Sequence, residues 1–241
     1  MNQNDKETKI TVITGAGFSK ASGIPTFRGK DGLWKTYSAS ELTTPSAFNR
    51  DPKLVWEWYR WRISIVLNVS PNAAHYTLAD YEKKGFDTVI LTQNVDDLHE
   101  RAGSKNVIHL HGQILKAKCI ECGKRITWTD DSLKKMDVIP KCMNCESIYR
   151  PDVVWFGESL DSNIIHSCFD RLSQTDVLIV AGTSGVVYPV AEFPFLAKQQ
   201  NPSLKIYEFN LEYTPISRIA AETALGPVEK TLVEFFTTSK L

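Results

Sequence analysis

Four cysteines form the sharpest chemical pattern in the chain. Cys119 and Cys122 make one doublet and Cys142 and Cys145 a second, with two residues inside each doublet and nineteen between them. Thiolates spaced by two residues can converge on one ion, and the gap falls in the range of tetrahedral four-cysteine zinc sites. Four thiolates leave no open position for water or substrate, so the predicted zinc holds a fold together and does not catalyse hydrolysis. The competing reading is four buried or redox-active cysteines, for which no such regular spacing is needed. Metal-binding thiolates must stay reduced, and with the unpaired Cys168 they point to the cytoplasm.

A second pattern, Gly15-Ala16-Gly17-Phe18-Ser19, follows the β-branched run Lys9-Ile10-Thr11-Val12-Ile13-Thr14. Glycines behind a buried strand let backbone amides approach a pyrophosphate at a helix start. The usual dinucleotide fingerprint wants a small residue three positions after the second glycine, but Lys20 stands there, with Ala21 adjacent. A dehydrogenase reading therefore loses weight, and a tight turn without a ligand is the alternative. His109 and His111 offer imidazoles whose ordinary pKa near ~6.5 suits general-base work. Two residues apart on a strand, they project from the same side, so spacing does not choose between them. His111 abuts Gly112 at the strand's carboxyl end and is favoured.

The elements that must position these groups are short apolar runs alternating with helix-length stretches. The runs are 9–14, 88–92, 107–110, 177–181 and 204–209; the stretches are roughly 52–68, 72–84, 162–174, 189–200, 214–224 and 228–237. This alternation predicts a doubly wound, Rossmann-like parallel sheet in an α/β protein. Ligands of such sheets sit outside the carboxyl ends of the strands, where the glycines, Asn94, His111 and Thr183-Ser184 fall. The cysteine segment reads as an insertion, giving a main domain over 1–112 and 154–241 and a zinc-binding insertion over 113–153.

Lys plus Arg and Asp plus Glu both number 28 among 241 residues, so the chain lacks the basic balance of sequence-independent nucleic-acid binders. No apolar stretch resembles a signal peptide or reaches the length of a membrane span. The expectation is a soluble intracellular protein with neither nucleic acid nor membrane as partner.

The run continues as Ala21-Ser22-Gly23-Ile24-Pro25-Thr26-Phe27-Arg28-Gly29-Lys30-Asp31-Gly32-Leu33-Trp34. Together with Thr92-Gln93-Asn94-Val95-Asp96-Asp97-Leu98-His99, His109-Leu110-His111-Gly112, the four cysteines and Gly182-Thr183-Ser184, it resembles the sirtuins, NAD-dependent protein-lysine deacylases. The matches keep their order from about residue 10 to the C-terminal region. The resemblance implies a Rossmann-like domain with a smaller zinc domain, and NAD consumed as co-substrate. The acyl group of an acyl-lysine protein or peptide would pass to ADP-ribose as nicotinamide leaves.

The resemblance makes His111 the base acting on the ribose hydroxyls. It places Gly15, Ala16, Gly17, Ser19, Thr26, Phe27, Arg28 and Trp34 at NAD, with Gln93, Asn94 and Asp96 near the nicotinamide and its ribose. Gly182, Thr183 and Ser184 would form a second NAD loop. An amide and a carboxylate at Asn210 and Glu212 could hold the adenosine ribose, or Asn210 could belong to a helix-capping turn. A solvated loop arginine is the other reading of Arg28, and a polar turn satisfying its own backbone that of 93–96. Transfer of ADP-ribose to protein, which uses the same leaving group, is the functional alternative. A zinc-ribbon binding module and NAD-linked oxidoreduction are weaker ones.

The stretch 52–68 carries Trp56, Trp58, Tyr59, Trp61 and Arg62, apolar on too many sides for a surface helix. Tyr59 and Arg62, three apart, share a helix face. A phenol and a guanidinium converging in an aromatic pocket can bind a carboxylate. The pair is similar to that of class III sirtuins, which implies removal of succinyl or malonyl as well as acetyl groups. A small Ala47 would leave room for the longer acyl chain. The bland reading is an arginine whose stem covers aromatic surface while its charge reaches water.

Overall fold

The computed structural model describes residues 8–26, 33–34 and 37–238. Its centre is a six-stranded sheet in which every pairing is parallel. Strand β1 is Lys9–Thr14, short pairs β2 (Leu33–Trp34) and β3 (Tyr37–Ser38) lie apart from the main sheet, and β4 is Asp87–Thr92. The remaining sheet strands are β5 (Val107–His109), β9 (Val177–Ala181), β10 (Lys205–Asn210) and β11 (Glu222–Leu225), after β6 (Gly112–Cys119), β7 (Arg125–Thr127) and β8 (Tyr149–Val153). The main order is β11-β10-β9-β1-β4-β5. β1 and β9 are thus the neighbours from which the chain winds in opposite directions, and a ligand crevice is expected above their carboxyl ends.

Strands β1 and β9 are almost wholly buried because helices cover both faces, which is why they read as unbroken apolar runs. The helices are α1 (Ala16–Ser19), α2 (Ala39–Leu42), α3 (Pro45–Arg50), α4 (Pro52–Asn68), α5 (Ala73–Lys83), α6 (Leu98–Ala102), α7 (Asp130–Lys134), α8 (Ser162–Ser173), α9 (Phe193–Gln200) and α10 (Val228–Thr238). Their starts follow local chemistry. Asp51 accepts from the Leu54 amide ahead of Pro52 at the start of α4, and Asp161 accepts from the Asn163 amide at the start of α8. One core packs Ala74, Leu78, Leu232 and Phe236 on one face of the sheet, and another packs Cys168, Leu172, Phe193 and Ala197 on the other.

The stretch 214–224 is not a helix. Pro215–Arg218 makes a single 3-10 turn and Glu222–Leu225 becomes edge strand β11, paired with β10. Helix-compatible residue types in this stretch yield to an available parallel edge.

Residues 112–153 build an antiparallel three-stranded sheet in the order β7-β6-β8. Its core is shared with distant segments: Phe48, Val55, Trp56, Tyr59 and Ile63 of α3 and α4 pack with Ile114, Cys119, Trp128, Cys142, Tyr149 and Trp155. The Trp56 indole donates to the Tyr149 carbonyl at 2.9 Å, fastening α4 to β8. Among the described residues, no helix is long and apolar enough to cross a membrane.

Candidate functional site

The loops leaving β1, β4, β9 and β10 meet above the sheet. The Gly15 amide donates to the Ala181 carbonyl at 3.1 Å and the Gly17 amide to the Gly182 carbonyl at 2.8 Å. A Cβ at Gly17 would sit 2.9 Å from the Gly182 oxygen, and one at Gly182, whose φ is +64°, would sit 2.4 Å from the Phe18 nitrogen. These glycines therefore bring two loops into backbone contact, and the Gly17 amide is spent there, not aimed at a pyrophosphate. Ala16 and Ser19 line the adjoining cleft with Ile24, Pro25, Arg62, Val66, Asn94, Val95 and Asp96. Thr26 is half-buried at the end of this segment; Phe27 and Arg28 lie outside the described residues, as does the Trp34 side chain.

Ser19 is buried and couples the polar floor of the cleft. Its hydroxyl accepts from the Asn94 side-chain amide at 3.0 Å and bonds the Asp96 carboxylate. Asp96 Oδ1 also accepts from the Leu98 amide at 3.1 Å, yet burial holds this carboxyl above the usual range. Asn94 is positioned through its own backbone amide, which donates to Thr92 Oγ1 at 3.0 Å.

Gln93 links three strands. Its side-chain amide donates to Thr183 Oγ1 at 3.0 Å, its backbone amide bonds the Thr14 carbonyl, and its carbonyl receives His111 Nδ1 at 3.0 Å. A carbonyl only accepts, so the proton of neutral His111 sits on Nδ1 and Nε2 keeps an open lone pair. Burial lowers the pKa of His111, partly offset by that hydrogen bond, so the ring is neutral at pH 7. The backbone of His111 is pinned by the Val154 amide at 2.9 Å, and Gly112 takes φ +77°, where a Cβ would lie 2.3 Å from the Asp152 oxygen. His109 differs: its Nε2 meets Glu100 at 2.6 Å and its Nδ1 the Asn94 carbonyl at 3.4 Å. Both ring nitrogens of His109 are thus turned toward protein partners, not toward the cleft.

On the β9 and β10 side, Thr183 is buried and its carbonyl accepts from the Asn210 side chain at 2.7 Å, while Asn210 Oδ1 accepts from the Leu211 amide at 2.9 Å. Both ends of the Asn210 amide are thus used within the protein. Ser184 is half-buried and Glu212 exposed beside this turn. A residue the sequence reading passed over, Glu208, lies fully buried and accepts from Thr214, Ser217 and Thr223 hydroxyls, holding the loop that follows Asn210. A lone acid in the otherwise uncharged run 206–209 was its signal.

The α4 pair is buried: Tyr59 is 2% and Arg62 5% exposed. Arg62 reaches the cleft and donates to the Pro25 carbonyl at 3.1 Å, with the Trp58 ring 5.6 Å from its guanidinium. Burial works against its charge, while Tyr59 and Asp96 favour it. The Tyr59 hydroxyl accepts from the Trp155 indole at 2.8 Å, and burial raises its pKa, so it stays protonated. Trp155 was also passed over, and no local sequence signal marks it. Ala47 is buried in α3, within the same core.

The four cysteine sulfurs lie within 4.8 Å of one another, Cys119 to Cys145 at 3.5 Å and Cys122 to Cys142 at 3.6 Å. A tetrahedral ion with bonds of about 2.3 Å separates its sulfurs by about 3.8 Å, so the set fits zinc. Cys119, Cys122, Cys142 and Cys145 would hold it as a closed structural site. Held by these four thiolates, such an ion would supply folding energy by tying the two cysteine turns into one module.

Comparison with known proteins agrees with this geometry. The family model described as "Sir2 family" matches residues 15–189. An NAD-dependent protein deacylase of Pyrococcus furiosus is 48% identical over 240 residues, covering 95% of this chain and 93% of the relative. One of Aquifex aeolicus is 49% identical over 212 residues, covering 88% and 87%. Among solved structures, a Sir2 homolog–NAD complex superposes with a TM-score of 0.89 at 44% identity, covering 98% of this chain and 93% of the other. A Sir2–p53 peptide–NAD+ complex gives 0.82 at 36%, covering 95% and 90%. A parallel sheet closed by these loops, a four-thiolate module beside it and relatives matching almost end to end leave one conclusion: the chain belongs to the Sir2 family.

Proposed function

We propose that this chain is an NAD-dependent protein-lysine deacylase in which His111 is the general base. The observation that carries the reading is the His111 ring itself, fixed at Nδ1 by the Gln93 carbonyl and open at Nε2. NAD, when bound, supplies a ribose carbon that takes the acyl oxygen as nicotinamide departs. His111 would accept a proton from a ribose hydroxyl at Nε2. Asn94 and Asp96, tied together through Ser19, would orient the nicotinamide and its ribose. Gln93 would serve as the brace between His111 and Thr183. Gly15, Ala16, Gly17, Gly182, Thr183 and Ser184 would shape the dinucleotide cleft, with Asn210 fixing its far loop and Glu212 facing the adenosine ribose.

We assign Arg62 and Tyr59 to an acyl chain ending in a carboxylate. Arg62 is a buried cation opening on the cleft, and Tyr59 keeps a hydroxyl proton to donate. A succinyl or malonyl group would meet both, and an acetyl group neither; Ala47 adds little bulk nearby. In this reading 113–153 is the zinc-binding insertion, and 1–112 with 154–241 is the NAD-binding domain. The thiolate set suits a reducing cytoplasm, and the balanced charge suits a protein partner over nucleic acid.

Acetyl-lysine and succinyl-lysine peptides mixed with NAD and the protein test the reading, with peptide mass and nicotinamide followed together. Loss of the acyl mass with release of nicotinamide is expected. Peptide gaining ADP-ribose would make the chain a transferase, and NADH absorbance would make it an oxidoreductase.

A further inference from the structure

The carboxylate pocket needs a phenol that donates, and the fold holds a device that sets its direction. We infer that Trp155 is a specificity-determining positioning residue, whose indole N–H occupies the Tyr59 oxygen and so turns the Tyr59 proton away from itself, toward the acyl pocket. The inference rests on the reading of Tyr59 and Arg62 as the carboxylate-binding pair.

An indole nitrogen donates and never accepts, so Tyr59 is the acceptor in the 2.8 Å bond to Trp155 Nε1. The two residues are 3% and 2% exposed, and bulk water does not compete for either group. With one lone pair engaged, the phenol has a single proton to place and it points elsewhere. A carboxylate accepts that proton, whereas the methyl end of an acetyl group offers nothing to it.

Trp155 is itself immobilised from several directions. Its backbone amide donates to Glu158 Oε2 at 2.9 Å, and the same carboxylate grips Arg150 at 2.6 and 2.9 Å. Arg150, which also donates to the Val153 carbonyl at 3.0 Å, lies 3.7 Å above the indole ring. Phe48 packs on it with centroids 5.2 Å apart, and Trp58 holds the Tyr59 ring edge-on at 4.7 Å. The indole therefore cannot swing to follow the phenol; it dictates the phenol's hydrogen bonding. Because Arg150 sits in β8, the cysteine module reaches acyl selection through this stack.

The test compares kcat/KM for succinyl-lysine and acetyl-lysine peptides in the wild type, Trp155→Phe, Tyr59→Phe, Arg62→Met and the Trp155→Phe/Tyr59→Phe double variant, with Tm recorded for each. Phenylalanine keeps an aromatic ring under Arg150 and deletes the N–H. Trp155→Phe should lower the succinyl-to-acetyl ratio about tenfold through KM of the succinyl peptide, the scale of one oriented hydrogen bond. The double variant should fall no further than Tyr59→Phe alone, since the indole acts through the phenol. Equal losses on both substrates, or additive losses in the double variant, would overturn the inference as a packing effect. If Tyr59→Phe and Arg62→Met lower the ratio and Trp155→Phe does not, the Trp155 inference alone falls. If none of them moves it, the carboxylate reading falls and takes the inference with it. Should Trp155→Phe fold poorly, benzothienylalanine at position 155 replaces N–H by sulfur at nearly constant shape and is held to the same outcomes.

Discussion

Replacing Arg62 by Met separates acyl recognition from the rest of the site. The guanidinium is 5% exposed, donates to the Pro25 carbonyl at 3.1 Å, and lies in one cleft with Asn94 and Asp96. Methionine fills a similar length without charge or donor. Some losses are common to every substrate, among them the hydrogen bond to the Pro25 carbonyl and the cation near Asp96. Together these amount to about 1–2 kcal/mol, or roughly 5- to 30-fold in kcat/KM, on the scale of single hydrogen bonds. A succinyl substrate loses more, because its carboxylate would be buried without its counterion. Truncating one partner of a buried charge pair costs about 2–5 kcal/mol, which is roughly 30-fold to several thousandfold. Steady-state rates on paired acetyl-lysine and succinyl-lysine peptides at saturating NAD measure the difference directly. The succinyl-to-acetyl ratio should drop by at least about 30-fold, with the acetyl rate reduced but measurable. An equal fold-loss on the two peptides would refute a carboxylate-binding Arg62 and leave it as a packing residue.

His111→Asn should lower kcat by about a hundredfold or more with little change in Tm, as for loss of a general base. In the wild type, because burial lowers the pKa of His111, the acid limb of kcat/KM should fall below ~6.5, and a limb above that value would contradict the environment described. Cys119→Ala, or chelation of the metal, should abolish activity together with the near-ultraviolet signal of the core that Cys119 shares with Trp56 and Tyr149; a fully folded protein that had lost only turnover would end the structural assignment. His75 is fully buried, accepts from the Asn72 amide at Nδ1, and has its pKa lowered by burial to about 3. The unfolded chain therefore takes up the His75 proton near ~6.5 while the folded one does not, so stability is lost as pH falls from there toward about 3, by roughly 2 kcal/mol at about pH 5 from this residue. His75→Gln should flatten the slope of denaturation free energy between about pH 4.5 and 6, and an unchanged slope would count against the buried neutral ring.

Much of this protein is legible locally. Runs of apolar, β-branched residues mark β1, β4 and β9 because a covered parallel strand has little polar side to show. Asp51-Pro52 and Asp161 announce α4 and α8 through caps that depend on neighbours in the chain. The spacing of the cysteines alone predicts that four sulfurs converge, and they do, within 4.8 Å.

Other features depend on partners far away in sequence. β11 forms because β10 offers an unpaired edge, against the helix-like look of 214–224. Gly15 and Gly17 are tight because Gly182 and Thr183, from the other half of the sheet, press against them. His109 and His111 are alike in sequence and separated by their partners, a carboxylate from α6 for one and a single carbonyl for the other. Tyr59 and Arg62 share a face by helical period, but only the packing of α4 on the cysteine module sets Trp155 against the phenol and Arg62 in the cleft. Residue type and spacing thus determined which chemistry the chain can hold. Tertiary packing decided which lone pair and which proton are left available, because hydrogen-bond partners and burial are set by atoms that meet only once the chain is folded.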